Sequence, residues 1–85
     1  MAEQLRVLIL KDGDVFVAQC LEIDIAAQGH TEGEAIARLR AALMAELECA
    51  KEAGKSLADI GPAPKHFEML FGAQVVNRTQ LKMAA

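Results

Sequence analysis

The amino-acid sequence predicts an α+β fold: a three-stranded, mainly antiparallel sheet with one long helix packed on one face, followed by a short C-terminal helix. Two apolar runs rich in β-branched residues lie on either side of an Asp-Gly pair, which is typical of a β-hairpin. A third short apolar run ends at a glycine, and the segment after it repeats apolar residues at the three- and four-residue steps of an amphipathic helix. The 85 residues suffice for a single domain, and we expect its core over about residues 4–54 and a C-terminal extension over 61–85.

The hairpin comes from EQLRVLIL, KDGD and VFVAQC, which predict strands near residues 4–11 and 14–20. Asp12 and Gly13 tolerate the positive φ angles of a type I′ turn. Because side chains alternate along a strand, the first strand is apolar on both faces, with Leu5, Val7 and Ile9 on one and Leu8 and Leu10 on the other. One helix covers only one of these faces, so the second needs another cover.

A third strand is expected near residues 23–28, from IDIAAQG, and it ends at Gly29. Thr31 and Glu34 have the spacing of a capping box, in which the threonine hydroxyl accepts from the amide of Glu34 and the glutamate carboxylate accepts from the amide of Thr31. The apolar stripe of the following helix consists of Ile36, Leu39, Leu43, Leu47 and Ala50. We expect this helix to run to about Ala53 and to stop at Gly54, because glycine is common just past helix C-termini.

The length of this helix suggests self-association. It should span about 33 Å, whereas a six-residue strand covers about 20 Å, so its far end would overhang the sheet. Ala42, Met44 and Ala45 add apolar surface beside the main stripe. Together with the two-faced first strand, this predicts a homodimer or a higher homo-oligomer.

The C-terminal extension contains Pro62, Pro64 and two of the three phenylalanines of the chain. Pro64 can begin a short helix in which Phe67, Leu70 and Phe71 fall at i, i+3 and i+4, and a strand over 66–71 is the alternative. We expect these three residues to pack in the core or across a dimer, the alternative being an exposed interaction patch. Residues 74–85 show no clear period, and we expect them to fray.

Composition excludes several classes of function. The net charge of −3 argues against a non-specific binder of nucleic acid or anionic membranes, and aromatic residues, at 4%, are too few for a base-stacking platform. The acidic excess lies in residues 1–60, which carry six basic and eleven acidic side chains, so a partner steered by charge should be basic. No apolar run reaches the length of a membrane span, and Met1 leads into charged Glu3 rather than into a signal peptide; we therefore expect a cytoplasmic protein.

Reactive residue types are present, but each has a structural explanation. Cys20 and His30 could form a thiolate pair oriented by Asp24 or Glu22, yet no glycine loop that could bind an oxyanion lies beside Cys20. Cys20 and Cys49 have no CxxC spacing, and in a reducing cytosol we expect two free thiols.

The remaining polar residues likewise favour structure over chemistry. His30, Asp24 and His66 could hold a metal, but the histidines lack helical ligand spacing. Glu32 and Glu34 fit the helix dipole and the cap better than an acid–base pair, and Arg38 fits an ion pair with Glu34. We expect no enzyme activity, no cofactor and no metal site, and only the His30 side chain is left without a role.

The predicted order of hairpin, third strand and capped helix resembles the N-terminal domain of the HicB-like antitoxin family over roughly residues 5–50. The matching residues are Asp12-Gly13, Phe16-Val17-Ala18, Glu22, and Gly29 with Thr31, Glu34 and Ala35. The resemblance implies a partial RNase H-like fold, assembly into dimers or tetramers, and neutralisation of a small basic ribonuclease toxin. The chain departs from the family in lacking a Pro-Gly loop before the third strand, and residues 61–85 are too few for a C-terminal helix-turn-helix that binds DNA.

The resemblance and the charge distribution together predict a non-enzymatic, protein-binding function. The predicted contacts with a basic toxin are the carboxylates of turns and loops: Asp12, Asp14, Glu22 and Asp24. The alternative is an orphan structural or small-ligand-binding domain of the same fold that has no toxin partner.

Overall fold

The computed structural model describes residues 2–63 and 75–84. In chain order the elements are β1 (Ala2–Asp12), β2 (Val15–Cys20), β3 (Ala26–Gly29), α1 (Glu32–Glu52), a 3-10 helix (Leu57–Ile60) and β4 (Val75–Ala84). The strands form one antiparallel sheet in the order β3-β2-β1-β4. The fold class is therefore α+β, with a sheet of four strands instead of three.

The fourth strand corrects the expectation that the C-terminal residues fray. β4 pairs with β1 from Ala2↔Ala84 to Leu10↔Val75, with an irregularity between Ile9 and Leu10. It completes the hydrogen bonding of β1 on the side away from β2, and Leu81 is 3% exposed in the core. The sequence hides this strand because Asn77 and Thr79 share the face of Leu81, so apolar and polar residues do not alternate. The predicted short C-terminal helix, with Phe67, Leu70 and Phe71, lies outside the described residues.

The hairpin turn is one residue further along than the sequence suggests. Asp12 pairs with Val15, so Gly13 and Asp14 form the turn. Gly13 has φ +62°, and no non-glycine residue in the described ranges has a positive φ. A type I′ turn needs positive φ at both central residues, so that prediction is wrong; a glycine with positive φ at the first central position is typical of type II′.

The main core lies between α1 and one face of the sheet. It contains Leu5, Val7, Ile9, Ala18, Cys20, Ile23 and Leu81, packed against Ala35, Leu39 and Leu43 of the helix. Within the predicted stripe, Leu39 and Leu43 are fully buried while Ile36 and Leu47 lie at the margin of the core. Full burial of each leucine stabilises the fold by about 1.5–3 kcal/mol.

The second face of β1 is also buried. Leu8 and Leu10 are 1% and 4% exposed. On this face Leu8 lies between Gln19 of β2 and Arg78 of β4. The two-sided apolar pattern of the first strand thus reflects burial on both faces of the sheet.

Both ends of α1 are set by local hydrogen bonds. Thr31 is the N-cap residue, with an extended backbone. At the other end Gly54, with φ +71°, donates its amide to Lys51 and the Lys55 amide donates to Ala50, the two bonds of a Schellman motif. The helix therefore ends at Glu52 and Ala53, as predicted.

The helix is shorter than the longest strand of the sheet and longer than β2 and β3, which have six and four residues. The 21 residues of α1 span about 31 Å, whereas the 11 residues of β1 extend over about 36 Å. Met44 is nevertheless 55% exposed, so part of the apolar surface beside the main stripe faces solvent. Homodimer formation remains a prediction.

Candidate functional site

The four carboxylates predicted to contact a partner lie at opposite ends of the sheet. Asp12 precedes the hairpin turn and Asp14 lies in it, whereas Glu22 and Asp24 follow the far end of β2. The six residues of β2 separate the two pairs by about 20 Å along the strand. The structure therefore brings together two pairs and not one cluster of four. We call these regions the turn end and the loop end of the sheet.

At the loop end, Glu22 is bound to Arg6. The backbone amide of Arg6 donates to Glu22 Oε1 at 2.6 Å, and its Nε donates to Oε2 at 2.5 Å. The amide of Leu21 donates to the carbonyl of Arg6 at 2.9 Å. The Glu22 side chain thus satisfies a backbone donor of β1 beyond the point where β2 ends. Its carboxylate is already bound to Arg6 of the same chain.

The environment of Glu22 favours its charged form. Partial burial alone would raise the pKa of the Glu22 carboxyl. The hydrogen bonds from the side chain and backbone of Arg6, together with the guanidinium charge, outweigh that effect and lower the pKa below its ordinary value. Glu22 is therefore ionised at neutral pH, with its charge compensated by Arg6.

Asp24 also has a structural partner, which is Gln19. Its Oδ1 accepts from Gln19 Nε2 at 3.2 Å, and its backbone amide donates to the carbonyl of Gly61 at 2.8 Å. The same Gln19 amide group contacts the carbonyls of Cys20 and Ile25 at 2.8 and 3.3 Å. Gln19 is 5% exposed, and its amide group fixes the loop between β2 and β3. This role could not be predicted from its position within VFVAQC.

At the turn end, Asp12 and Asp14 are exposed. Within residues 2–63 and 75–84, neither carboxylate takes part in a hydrogen bond or an ion pair. The neighbouring cation Lys11 lies with its Nζ 5.7 Å from the centre of the Phe16 ring. These two carboxylates are thus available to another molecule.

The start of the helix lies at the same end. Thr31 Oγ1 accepts from the amide of Glu34 at 3.0 Å. Glu34 Oε1 accepts from the amide of His30 at 3.2 Å, one residue before the donor expected for a capping box. The backbone of His30 therefore has a partner at the cap, while its side chain is exposed.

Arg38 connects the first turns of the helix to the edge of the sheet. Its Nη2 lies 3.2 Å from Glu34 Oε1, the expected ion pair, and its Nη1 donates to the carbonyl of Gln28 at 3.1 Å. Sequence reasoning predicted the first contact and missed the second, because Gln28 lies on β3, ten residues earlier.

The candidate thiolate pair is not assembled. Cys20 is fully buried at the loop end, and His30 is exposed at the turn end. Burial raises the pKa of the Cys20 thiol, and hydrogen bonds from the backbone of Ile23 and Glu22 offset this only in part. Cys20 is therefore a protonated, packed thiol at neutral pH.

The candidate metal ligands are likewise separated. Asp24 lies at the loop end and His30 at the turn end, while His66 is outside the described residues. In the part of the chain that the structure describes, no three His, Cys, Asp or Glu residues are grouped so that they could hold a metal ion.

A cleft of about 440 Å³ is formed by residues of the paired strands β1 and β4 together with Leu21. It is lined by Arg6, Val7, Leu8, Leu21, Arg78, Thr79 and Gln80. Its volume is in the range of small-molecule sites. The sequence gives no hint of this cleft, because it depends on β4.

Comparisons with known proteins identify no relative. No protein-family model, curated protein or solved structure matches the chain. Among the helices of the described residues, none is long and apolar enough to cross a membrane.

Proposed function

We propose that this chain is a non-enzymatic protein-binding domain of the HicB-like antitoxin type, and that it neutralises a small basic ribonuclease. The observation that carries the proposal is the pair of exposed carboxylates, Asp12 and Asp14, on a tight turn with no partner among the described residues. A basic protein recognises such a pair by charge complementarity.

The turn presents these carboxylates with little mobility to lose on binding. The hydrogen-bonded hairpin extends to the last pairs before the turn, Lys11↔Phe16 and Asp12↔Val15. Because the backbone on both sides is already ordered, less conformational entropy is lost when a partner binds. The packing of Lys11 over Phe16 also keeps that ammonium engaged with the ring.

The surrounding charges favour a basic partner at the turn end. Among the described residues, four carboxylates lie there, on Asp12, Asp14, Glu32 and Glu34, with the cations Lys11 and Arg38. At the loop end, by contrast, Glu22 is compensated by Arg6. We therefore reduce the predicted contact set to Asp12 and Asp14 and assign structural roles to Glu22 and Asp24.

Inhibition would follow from competition with RNA. A ribonuclease that binds RNA phosphates needs exposed lysine or arginine side chains. Asp12 and Asp14 would pair with the lysine and arginine side chains that otherwise bind RNA phosphates. The rest of the domain would then block access of the RNA. This chain supplies contacts and charge and takes no part in bond cleavage.

The test uses a small basic protein encoded next to this chain, co-expressed and purified with it. We expect a complex, inhibition of RNA cleavage, and an association rate that falls steeply with salt. The double variant Asp12→Lys with Asp14→Lys should associate at least about tenfold more slowly at low salt. The matched control is Glu48→Lys with Glu52→Lys, the same charge change on the exposed helix surface more than about 20 Å from the start of α1.

The outcomes separate the parts of the proposal. An equal fall in the association rate of both double variants would show that only total charge matters. The turn end would then no longer be the proposed contact site. Absence of any complex with basic ribonucleases would overturn the antitoxin assignment itself.

The second candidate is a small-ligand-binding domain of the same fold, which the 440 Å³ cleft lined by residues of β1 and β4 favours. Its lining combines apolar residues such as Leu8 with polar residues such as Arg6 and Gln80, the usual composition of a ligand site. A thermal-shift screen of small carboxylates and phosphates tests it. We expect a hit to lose its effect in Gln80→Leu and to keep it in Asp12→Lys with Asp14→Lys.

A further inference from the structure

The outer edge of β4 is the longest strand edge at the rim of the described sheet. β4 has ten residues and lies last in the strand order, whereas β3 at the opposite rim has four. Edge strands offer backbone donors and acceptors to another strand unless something blocks them. At the β3 rim, Arg38 Nη1 already donates to the carbonyl of Gln28, which occupies one of the outward acceptors.

The hydrogen-bond directions along β1 show which groups of β4 face outward. The amide of Arg6 donates to Glu22 and its carbonyl accepts from Leu21, so both point to the β2 side. Successive residues of a strand point to opposite sides, so Leu5 and Val7 face β4. Their partners Leu81 and Thr79 face back to β1, which leaves the amides and carbonyls of Gln80 and Lys82 directed away from the sheet.

The first half of this edge is guarded. The irregular pairing opposite Ile9 and Leu10 lies at its start, next to Val76. Asn77 Oδ1 then accepts from the amide of Arg78 at 2.8 Å, while Asn77 Nδ2 donates to Glu32 at 3.2 Å. Among the described residues, none pairs with the outer side of β4 after Arg78, and this open part of the edge includes Gln80 and Lys82.

We propose that two copies of this chain pair edge to edge through β4, antiparallel, with the two-fold axis at Leu81. The amide and carbonyl of Gln80 then pair with those of Lys82 of the second copy, and the reverse pair forms by symmetry, which gives about four backbone hydrogen bonds. The result is one continuous eight-stranded sheet with both helices on the same face.

Charge selects this register over its neighbours. An axis at Gln80 sets Arg78 opposite Lys82, and an axis at Lys82 sets two lysines opposite each other; like charges directly opposite are unfavourable. An axis at Thr79 needs the Arg78 amide that Asn77 already occupies. With the axis at Leu81, Lys82 faces the neutral Gln80 and Arg78 faces Ala84.

Such an edge contact is small, so we expect a dissociation constant in the micromolar range. Sedimentation velocity on the full chain over a concentration series should show a monomer–dimer equilibrium. In Gln80→Pro the dimer should be lost, or weakened at least about tenfold, because proline removes an outward amide without removing a bond to β1. Gln28→Pro is the matched control at the β3 rim, where the residue also points outward, and it should keep the dimer.

The register is tested by charge at residue 80. Gln80→Glu places a carboxylate opposite Lys82 of the second copy twice, and should tighten the dimer roughly two- to tenfold at low salt. Gln80→Lys should weaken it by a similar factor. Within its own chain residue 80 faces Arg6, which Glu22 already engages. Hydrogen exchange adds a residue-level measurement, since protection of the Gln80 and Lys82 amides should rise with protein concentration while that of Gln28 stays constant.

Two results would overturn the proposal. The first is that the protein stays monomeric at every concentration. This includes the case in which the β4 edge pairs only with a strand of a different protein. The second is a dimer that Gln80→Pro leaves unchanged while the thermal midpoint shows an intact fold. If Gln80→Pro does not fold, the dimer dissociation constants of Gln80→Glu and Gln80→Lys test the proposal instead. Equal or reversed changes in the two dissociation constants would refute the register. None of these measurements needs the ribonuclease, so the two proposals succeed or fail separately.

Discussion

Glu22 accepts hydrogen bonds from both the backbone amide and the side chain of Arg6, sixteen residues earlier in the chain. The two side chains are 35% and 64% exposed, so the ion pair by itself contributes little. The bond to the backbone amide matters more, because it satisfies a donor of β1 that β2 no longer reaches.

We expect Glu22→Gln to destabilise the fold by about 1 kcal/mol at neutral pH. The pKa of Glu22 is lowered in the folded state, so its contribution is complete above the unfolded-state pKa of about 4.5 and is lost as pH falls below it through the folded-state pKa. Urea unfolding of wild type and variant across that range measures the difference, which should vanish in acid. Glu48→Gln, at an exposed helix position, should show no difference at any pH, and a pH-independent effect of Glu22→Gln would contradict the ion pair.

Gly29 is expected to tolerate no side chain. A Cβ at this position would stand 2.6 Å from the amide nitrogen of Ala35 and 2.9 Å from the carbonyl carbon of Glu34, both backbone atoms that cannot move aside alone. Gly29→Ala should therefore cost about 1–3 kcal/mol in chemical denaturation. Gly33→Ala is the matched control: a Cβ there meets nothing within 4 Å, and higher helix propensity should stabilise the fold by about 0.5–1 kcal/mol. Similar effects of the two variants would rule out the close approach.

The N-cap predicts a specific response to substitution at Thr31. Thr31→Ala removes the acceptor of the Glu34 amide and should cost about 1 kcal/mol. Thr31→Ser keeps the hydroxyl and should remain within about 0.5 kcal/mol of the wild type. Both are read from denaturation midpoints, and an unchanged midpoint for Thr31→Ala would count against the cap.

Leu81 tests whether β4 belongs to the core. It is 3% exposed and packs with Leu5 and other core residues, so Leu81→Ala should destabilise the fold by about 2–5 kcal/mol. Gln80→Ala, at an exposed neighbour on the same strand, should have an effect within about 0.5 kcal/mol. If β4 frayed in solution, neither substitution would change the unfolding free energy.

The two cysteines should differ in reactivity. Cys49 is exposed, whereas Cys20 is buried with a raised pKa. Under native conditions we expect a thiol reagent to modify Cys49 fully before Cys20 reacts measurably, and mass spectrometry of the digested protein assigns each site. Unfolding in urea should remove the difference; fast native modification of Cys20 would contradict its burial.

The sequence by itself determined the parts of the fold that depend on near neighbours. The hairpin, the presence of a third strand and the helix with both its ends follow from interactions within a few residues, such as the Thr31 hydroxyl on the Glu34 amide and the positive φ of Gly54. The third strand itself is Ala26–Gly29 and not the expected residues 23–28. These signals survive in a single sequence because periodicity and capping are local. The burial of both faces of the first strand could be predicted for the same reason, because the alternation of its apolar residues is a local pattern.

Only the tertiary structure decided the rest. The polar C-terminal residues form β4, because this strand satisfies the hydrogen bonds of β1 on the side away from β2. The pairing also buries Leu81 in the core. The tertiary structure also divided the four predicted contact carboxylates, assigning Glu22 to Arg6 and Asp24 to Gln19 while leaving Asp12 and Asp14 exposed. The β1–β4 pairing joins residues about eighty positions apart at its outer end, Ala2 with Ala84, and no local pattern encodes a contact at that separation.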